Sequence, residues 1–269
     1  KDRLDLIGGK GLFVKEIEQM LLDRKIDVAV HSMKDMPTIM TPGLKITSWL
    51  SRGDVREVLI GDTNKTIMEL DPGSIVGTSS IRRRSQVLSL RRDLYIKIIR
   101  GNVDTRIKKL DQGEYTALIL GYGGIKRLGL EDRIAQIFST NEILPPACQA
   151  AIGVQTIDED SKLINLIANT NYKDASIIGM TERKVLETLE VNCNSPVGVL
   201  ASIKNKNFIS IKVELFSHDG NEKYTTEVSG AIKDHISLAY DVGSKIIDQV
   251  GFDYIKKLDN LKNDFNYAP

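Results

Sequence analysis

The sequence predicts an α/β protein that ends in a small, separate α+β unit. Two observations carry this. Short apolar runs alternate with amphipathic helical stretches up to about residue 172, the pattern of helices laid on a mostly parallel sheet. Beyond that point the order becomes one helix, three strands in succession and a closing helix. Strands 26–30, 74–77, 96–99 and 117–120 are short and rich in Ile, Val, Leu and Ala. Helices follow or precede them: 12–22, with Phe13, Ile17, Met20 and Leu21 on one face, then 81–90 and 104–110. In the last part a helix over 181–189 leads into strands 197–204, 207–216 and 223–229. His218-Asp219-Gly220-Asn221 forms the turn between the last two, and a helix over 232–250 closes the unit.

Composition narrows the function. The 269 residues carry 37 Lys+Arg and 36 Asp+Glu, a net charge of +1, with 41% hydrophobic and 27% charged residues. That balance argues against a basic nucleic-acid coat or an acidic tail. No apolar run is long enough to span a bilayer. Two cysteines, Cys148 and Cys193, cannot build a disulfide framework and suit a reducing compartment. Three scattered histidines, His31, His218 and His235, make no metal signature.

The charge is unevenly placed. Residues 82–109 hold ten basic and two acidic side chains, so this stretch is +8 and the rest of the chain −7. Arg82 and Arg83 follow Thr78-Ser79-Ser80 at a strand-to-helix junction, and Arg100 and Arg106 flank a second one. Arginines there oppose the helix dipole unless an anion binds beside the free backbone N–H groups. Phosphate, nucleic acid or a polycarboxylate would each serve, and a solvated helical face is the plainer alternative. Tyr95 is the one aromatic in the stretch, which speaks against base stacking. No nucleotide-phosphate loop is present, because Gly8-Gly9-Lys10-Gly11 is too short and lacks the hydroxyl.

Asp35 lies just past a strand in His31-Ser32-Met33-Lys34-Asp35-Met36-Pro37. A carboxylate at a strand's end can act as a general acid or steady a developing cation, or it can simply open a turn before Pro37. Cys193 lies in a polar loop and Cys148 in a proline-rich one, with no Cys–His pairing for either. Arg52-Gly53-Asp54 matches an adhesion tripeptide, a match short enough to arise by chance.

Taken together, these strings resemble the porphobilinogen deaminase (hydroxymethylbilane synthase) family. They are Gly8-Gly9-Lys10-Gly11-Leu12-Phe13, the His31–Pro37 run, Gly77-Thr78-Ser79-Ser80-Ile81-Arg82-Arg83, and Arg100-Gly101-Asn102-Val103-Asp104-Thr105-Arg106. Lys126-Arg127-Leu128-Gly129-Leu130, Leu144-Pro145-Pro146-Ala147-Cys148-Gln149 and Cys193 ahead of Pro196-Val197-Gly198 follow in order. The resemblance implies a transferase of porphyrin and heme biosynthesis that condenses porphobilinogen head to tail into linear hydroxymethylbilane, releasing ammonia. It implies one dipyrromethane per chain, held as a thioether on Cys193, with Asp35 as the catalytic carboxylate. It implies that Lys34, Ser80, Arg82, Arg83, Arg100 and Arg106 hold the cofactor, and that Lys10, Phe13, Arg127 and Gln149 serve the substrate.

The implied architecture has three domains. Two lobes like type 2 periplasmic binding proteins would comprise 1–50 with 151–170, and 55–145. A small α+β domain, 173–269, would carry the cysteine. The implied protein is a cytoplasmic monomer, or one of an organelle stroma or matrix after loss of a targeting segment, with no nucleic-acid or membrane partner. The family's opening strand and helix, with an Arg-x-Ser-x-Leu-Ala-type segment, have no counterpart, so about fifty residues are expected ahead of this sequence. A non-catalytic two-lobed module that binds a small anion is the alternative.

Overall fold

A computed structural model describes residues 9–192, 195–205 and 207–260. In its first part come α1 (Gly9–Leu22), β1 (Ala29–Ser32) and β2 (Leu44–Trp49), followed by β3 (Glu57–Ile60), β4 (Ile75–Gly77) and α2 (Ile81–Leu90). Then come β5 (Tyr95–Lys97), α3 (Val103–Asp111), β6 (Ala117–Gly121), α4 (Tyr122–Arg127) and β7 (Ile134–Ile137). The chain returns through β8 (Ile152–Ile157) and α5 (Ser161–Ala168) to the long α6 (Lys173–Leu189). It ends with β9 (Val197–Asn205), β10 (Phe208–Phe216), β11 (Lys223–Ala231), α7 (His235–Val250) and α8 (Phe252–Asn260). No helix among the described residues is long and apolar enough to cross a membrane.

Three sheets organise these elements: β1-β8-β2, β5-β4-β6-β3-β7 and β11-β10-β9. The α/β lobes and the α+β unit are as the sequence predicts, but the sheets are less parallel. Among the described residues only β5, β4 and β6 run parallel, and β3 lies antiparallel to both β6 and β7. The first sheet is antiparallel throughout. The reason is the route of the chain. β3 arrives directly from β2 and β8 returns directly from the second lobe, with no helical crossover to impose a parallel direction. The second sheet is buried on both faces. Val58, Ile60, Leu118 and Leu120 pack with Ile107 and Ile125 on one side, and Leu59, Val76 and Ile119 pack with Val87 and Phe138 on the other.

The face of α1 differs from the hydropathy reading. Phe13 is 65% exposed and Met20 also points outward, while Val14, Glu18 and Leu21 are buried. A polar chain sets this rotation. Thr41 Oγ1 donates to Glu18 Oε2 at 2.6 Å, Gln155 Nε2 donates to Glu18 Oε1 at 2.8 Å, and His31 Nε2 lies 2.8 Å from Gln155 Oε1. A buried carboxylate must keep its hydrogen bonds, and that requirement outweighs the burial of Met20.

The α+β unit docks on both lobes. Its helices α6, α7 and α8 cover one face of β9–β11 through Val185, Leu189, Ile211, Val213, Val242 and Ile246. The turn between β10 and β11 seats on α2, where Gly220 adopts φ +72° and a Cβ there would meet the Ser85 carbonyl at 2.4 Å. Against the first lobe, Gly179 of α6 lies flat on Trp49, and a Cβ at this position would fall 2.1 Å from the indole. Gly179→Ala is therefore expected to lower stability by about 1–3 kcal/mol through overpacking, read as a drop in Tm. An unchanged Tm would mean that α6 and Trp49 are not packed this way.

Candidate active site

Two segments cross between the lobes, 50–56 outward and 138–151 returning. They pair where Leu50 N donates to Ile152 O and Gly53 N to Ala150 O, both at 3.0 Å. Buried charge fixes them. Arg52 donates through Nη1 and Nη2 to Glu182 of α6 at 2.8 and 3.0 Å, and through Nε to the Gln149 carbonyl at 3.0 Å. The same carboxylate accepts from Cys148 N at 2.6 Å and Ala201 N at 2.9 Å. Glu182 thus ties both crossing segments to the α+β unit.

A cleft of about 1120 Å³ opens over the crossing segments. One wall is the end of β1 with Lys34. The other is Arg83, the start of α3 with Arg106, and α4 with Lys126 and Arg127. Gln149 lies on the floor, where its Nε2 donates to Val55 O at 2.9 Å and its Oε1 accepts from Lys34 at 3.4 Å. Its neighbours Cys148 and Ala150 both take φ +58°. Left-handed backbone of this kind costs on the order of 1–3 kcal/mol per residue, and here it aims Gln149 into the cleft. Of the charged residues that line the cleft, six are basic and one is acidic. The acid, Asp54, is paired with Arg56 at 2.6 Å.

The arginines divide into two sets. Arg82 does not line the cleft. It is buried against Glu57 and donates to the Leu144 carbonyl at 2.6 Å. Arg83 also pairs with Glu57, at 2.8 Å, yet reaches the cleft wall. Burial alone would raise Glu57, but Arg83 and then Arg82 overrule it and hold its carboxyl down at about 2. Burial brings Arg82 down to about 10 against the pull of Glu57. An anion site read from the charge run alone therefore loses Arg82, because its counter-ion stands in β3. The signal was present: Glu57 is the one charge in Glu57-Val58-Leu59-Ile60, and an acid in a fully buried strand requires a cation.

Arg106 is different. Burial, then the neighbouring Arg83, depresses its guanidinium, and its Nε donates to the Gly101 carbonyl at 2.8 Å. The Nε of Arg83 is buried with no hydrogen-bond partner among the described residues. Two guanidiniums in the wall of one cleft favour an anion between the lobes. The helix starts are already capped: Ser80 Oγ accepts from Arg83 N at 3.4 Å and Asn102 Oδ1 from Thr105 N at 2.9 Å.

Of the remaining site residues, Ser80 and Arg100 do not line the cleft; Ser80 is the α2 cap and Arg100 is exposed just before Gly101. Phe13 stands exposed on α1. Asp35 is half-buried in the 3₁₀ turn Met33–Asp35, next to Lys34 of the wall. Cys193 and the side chain of Lys10 lie outside the described residues. The residues just after Asp35 are linked to α6 and to Val191 beyond its end. Arg183 donates to the carbonyls of Pro37 and Thr38 at 2.7 and 2.8 Å, and Thr38 Oγ1 donates to Val191 O at 2.9 Å. Cys148 is buried, and burial, reinforced by Glu182, pushes its thiol up to about 12. That thiol is inert at neutral pH. No group of His, Cys, Asp and Glu among the described residues is arranged to hold a metal.

Comparison with known proteins gives the family. Residues 1–165 match the family described as porphobilinogen deaminase, dipyromethane cofactor binding domain. Residues 176–248 match porphobilinogen deaminase, C-terminal domain. The chain belongs to the porphobilinogen deaminase family. It is 38% identical to porphobilinogen deaminase of Staphylococcus epidermidis over 97% of this chain and 84% of that one. It is likewise 38% identical to porphobilinogen deaminase of Sulfurimonas denitrificans over 91% and 79%. Among solved structures, an arginine-specific periplasmic binding protein of Salmonella typhimurium is similar at 15% identity over 59% of this chain and 70% of that one. Its TM-score is 0.34.

Proposed function

We propose that this chain condenses porphobilinogen into hydroxymethylbilane with release of ammonia, a transferase step of tetrapyrrole synthesis carried out as a monomer in the cytoplasm. The observation that carries the reading is the cationic cleft between the lobes, with Arg83 and Arg106 both in its wall, in a member of the porphobilinogen deaminase family. Each pyrrole ring of the substrate brings two carboxylates, so a growing chain is a polyanion that needs guanidinium and ammonium partners. The donor set fits dipyrromethane in the same way: Arg83, Arg106 and Lys34 would hold its carboxylates, and Cys193 its methylene carbon. Bound there, dipyrromethane supplies the pyrrole carbon to which the first unit is joined.

The rest of the work falls to side chains. Lys126 and Arg127 at the mouth of the cleft would take the incoming carboxylates. Gln149, fixed by its strained turn, would orient the ring from the floor. Loss of ammonia leaves an electron-poor azafulvene, and Asp35 would steady its positive charge and that of the pyrrolium formed on attack. Ser80 and Arg82 act at one remove: Ser80 caps α2, and Arg82 holds Glu57, which in turn positions Arg83.

Intact-mass measurement tests the reading. The protein should be heavier than its sequence by one dipyrromethane. Cys193→Ser loses this increment and Cys148→Ser keeps it. An unmodified mass would favour a two-lobed anion-binding protein instead.

A further inference from the structure

Residues 32–40, which include Asp35, lead from the end of β1 towards β2. The two side chains that bracket them, His31 and Thr41, both end on Glu18 of α1. Thr41 reaches it directly, its Oγ1 donating to Glu18 Oε2 at 2.6 Å. His31 reaches it through Gln155 of β8, the central strand of its sheet. Gln155 Nε2 donates to Glu18 Oε1 at 2.8 Å, and Gln155 Oε1 lies 2.8 Å from His31 Nε2. The direction of each bond follows from the groups. Carboxylate oxygens accept, so Gln155 turns its amide N–H to Glu18 and its carbonyl to His31, and the imidazole carries a hydrogen on Nε2. Glu18, Gln155 and His31 are all buried, so water does not replace a lost partner at low cost. Between the two ends, Met33 N donates to Ala151 O at 3.0 Å before Asp35, and Arg183 holds the Pro37 and Thr38 carbonyls after it.

We propose that Glu18 is a positioning residue for Asp35: by taking Thr41 on one oxygen and, through Gln155, His31 on the other, it closes both ends of the segment that presents the Asp35 carboxylate. The inference rests on the functional reading above, in which Asp35 steadies the cation formed during coupling. A buried acid that served α1 alone would need partners near α1 only. Glu18 instead divides its two oxygens between the two flanks of one turn. Electrostatic stabilisation of a developing cation falls off when the carboxylate is displaced, and a misplacement of 1 Å can cost orders of magnitude in rate. Glu18 lines no part of the cleft, so it acts through Asp35 and not on the substrate. The residues read as taking the incoming carboxylates, Lys126 and Arg127, belong to the other lobe and are untouched by it.

The test uses cofactor-loaded protein, with the loading of every variant checked by intact mass and its Tm recorded. Glu18→Leu keeps the bulk of the side chain and removes both acceptors. Its kcat falls about tenfold while KM for porphobilinogen stays within about twofold. Backbone hydrogens of residues 32–40 exchange about tenfold faster. Glu18→Gln rescues both readouts, because its carbonyl can still accept from Gln155 and its amide can donate to the Thr41 hydroxyl. Leu94→Ala, in the core of the second lobe, lowers Tm and leaves the kcat and exchange of 32–40 unchanged. In an Asp35→Asn background, Glu18→Leu lowers kcat by less than about twofold more, because the charge it positions is already gone. Gln155→Leu and Thr41→Val each open one end and are read in the same way if Glu18→Leu does not fold. Wild-type kcat and exchange in Glu18→Leu overturn the inference and leave the functional reading standing. An equal loss of kcat with and without the Asp35 charge, or the same losses in Leu94→Ala, also overturns it, by reducing Glu18 to a general stabiliser. Wild-type kcat in Asp35→Asn alone overturns the reading of Asp35, and the inference with it.

Discussion

Asp35→Asn is expected to fold like the wild type and to turn over porphobilinogen about 10²–10³-fold more slowly, a loss of roughly 3–4 kcal/mol of transition-state stabilisation. The substitution keeps the shape of the side chain and removes its charge. Asp35 is half-buried in a short turn whose neighbours Met33 and Met36 are buried and supply apolar packing there. Under the proposed mechanism the chemistry would depend on it, because positive charge would develop as ammonia leaves and again on the ring that is attacked. The check is kcat beside Tm. A variant with near-wild-type kcat would remove Asp35 from the mechanism. A variant with a depressed Tm and proportionate loss of activity would make it a structural residue.

Glu57→Gln has the opposite character, with its largest effect on stability. Two buried guanidiniums, Arg82 and Arg83, converge on this one buried carboxylate. Removing its charge leaves both uncompensated, at a cost of about 3–5 kcal/mol. The wild type should show the same dependence as acid sensitivity. Glu57 is held near 2 in the fold against an ordinary value of 4.5, so between those values the unfolded chain binds the extra proton. Its contribution, about 3 kcal/mol, is complete above about pH 4.5 and is lost as the pH falls towards 2. Thermal unfolding of both proteins between pH 2 and 7 measures it. The Tm difference should be widest at neutral pH and narrow in acid. A constant difference would show that the ion pairs do not carry the effect. Because Glu57 also positions Arg83, the variant should bind porphobilinogen more weakly even where it remains folded.

Much of this structure was legible in the sequence where periodicity and turn chemistry agree. The helix over 81–90, the strand over 117–120 and the three-stranded meander with its Asp219-Gly220 turn lie where the pattern put them, the strand running one residue further. The direction of β3 was not legible, because it depends on the route taken between lobes and not on local preference. The rotation of α1 was hidden as well: hydropathy counts Glu18 as a surface residue, whereas Thr41 and Gln155 supply the partners that let it be buried. The charge run contains Arg83 and Arg106, which line the cleft, but could not separate them from Arg82, whose partner Glu57 stands 25 residues earlier in the chain. Arg52, dismissed within a chance tripeptide, proved to be the pin between the crossing segments and Glu182. Pairs so far apart in sequence leave no periodic trace, and only a charge stranded among apolar residues announces them.

In the proposed mechanism a cationic cleft would gather the acid groups of a growing oligopyrrole while Asp35 would steady the cation at the coupling point. The most direct measurement supplies the protein with porphobilinogen and follows ammonia release together with hydroxymethylbilane, detected as its cyclised coloured product. Stoichiometric ammonia and bilane, lost in Cys193→Ser and sharply reduced in Asp35→Asn, is the predicted result. Porphobilinogen bound by the cleft but recovered unchanged, with no ammonia released, would contradict the account.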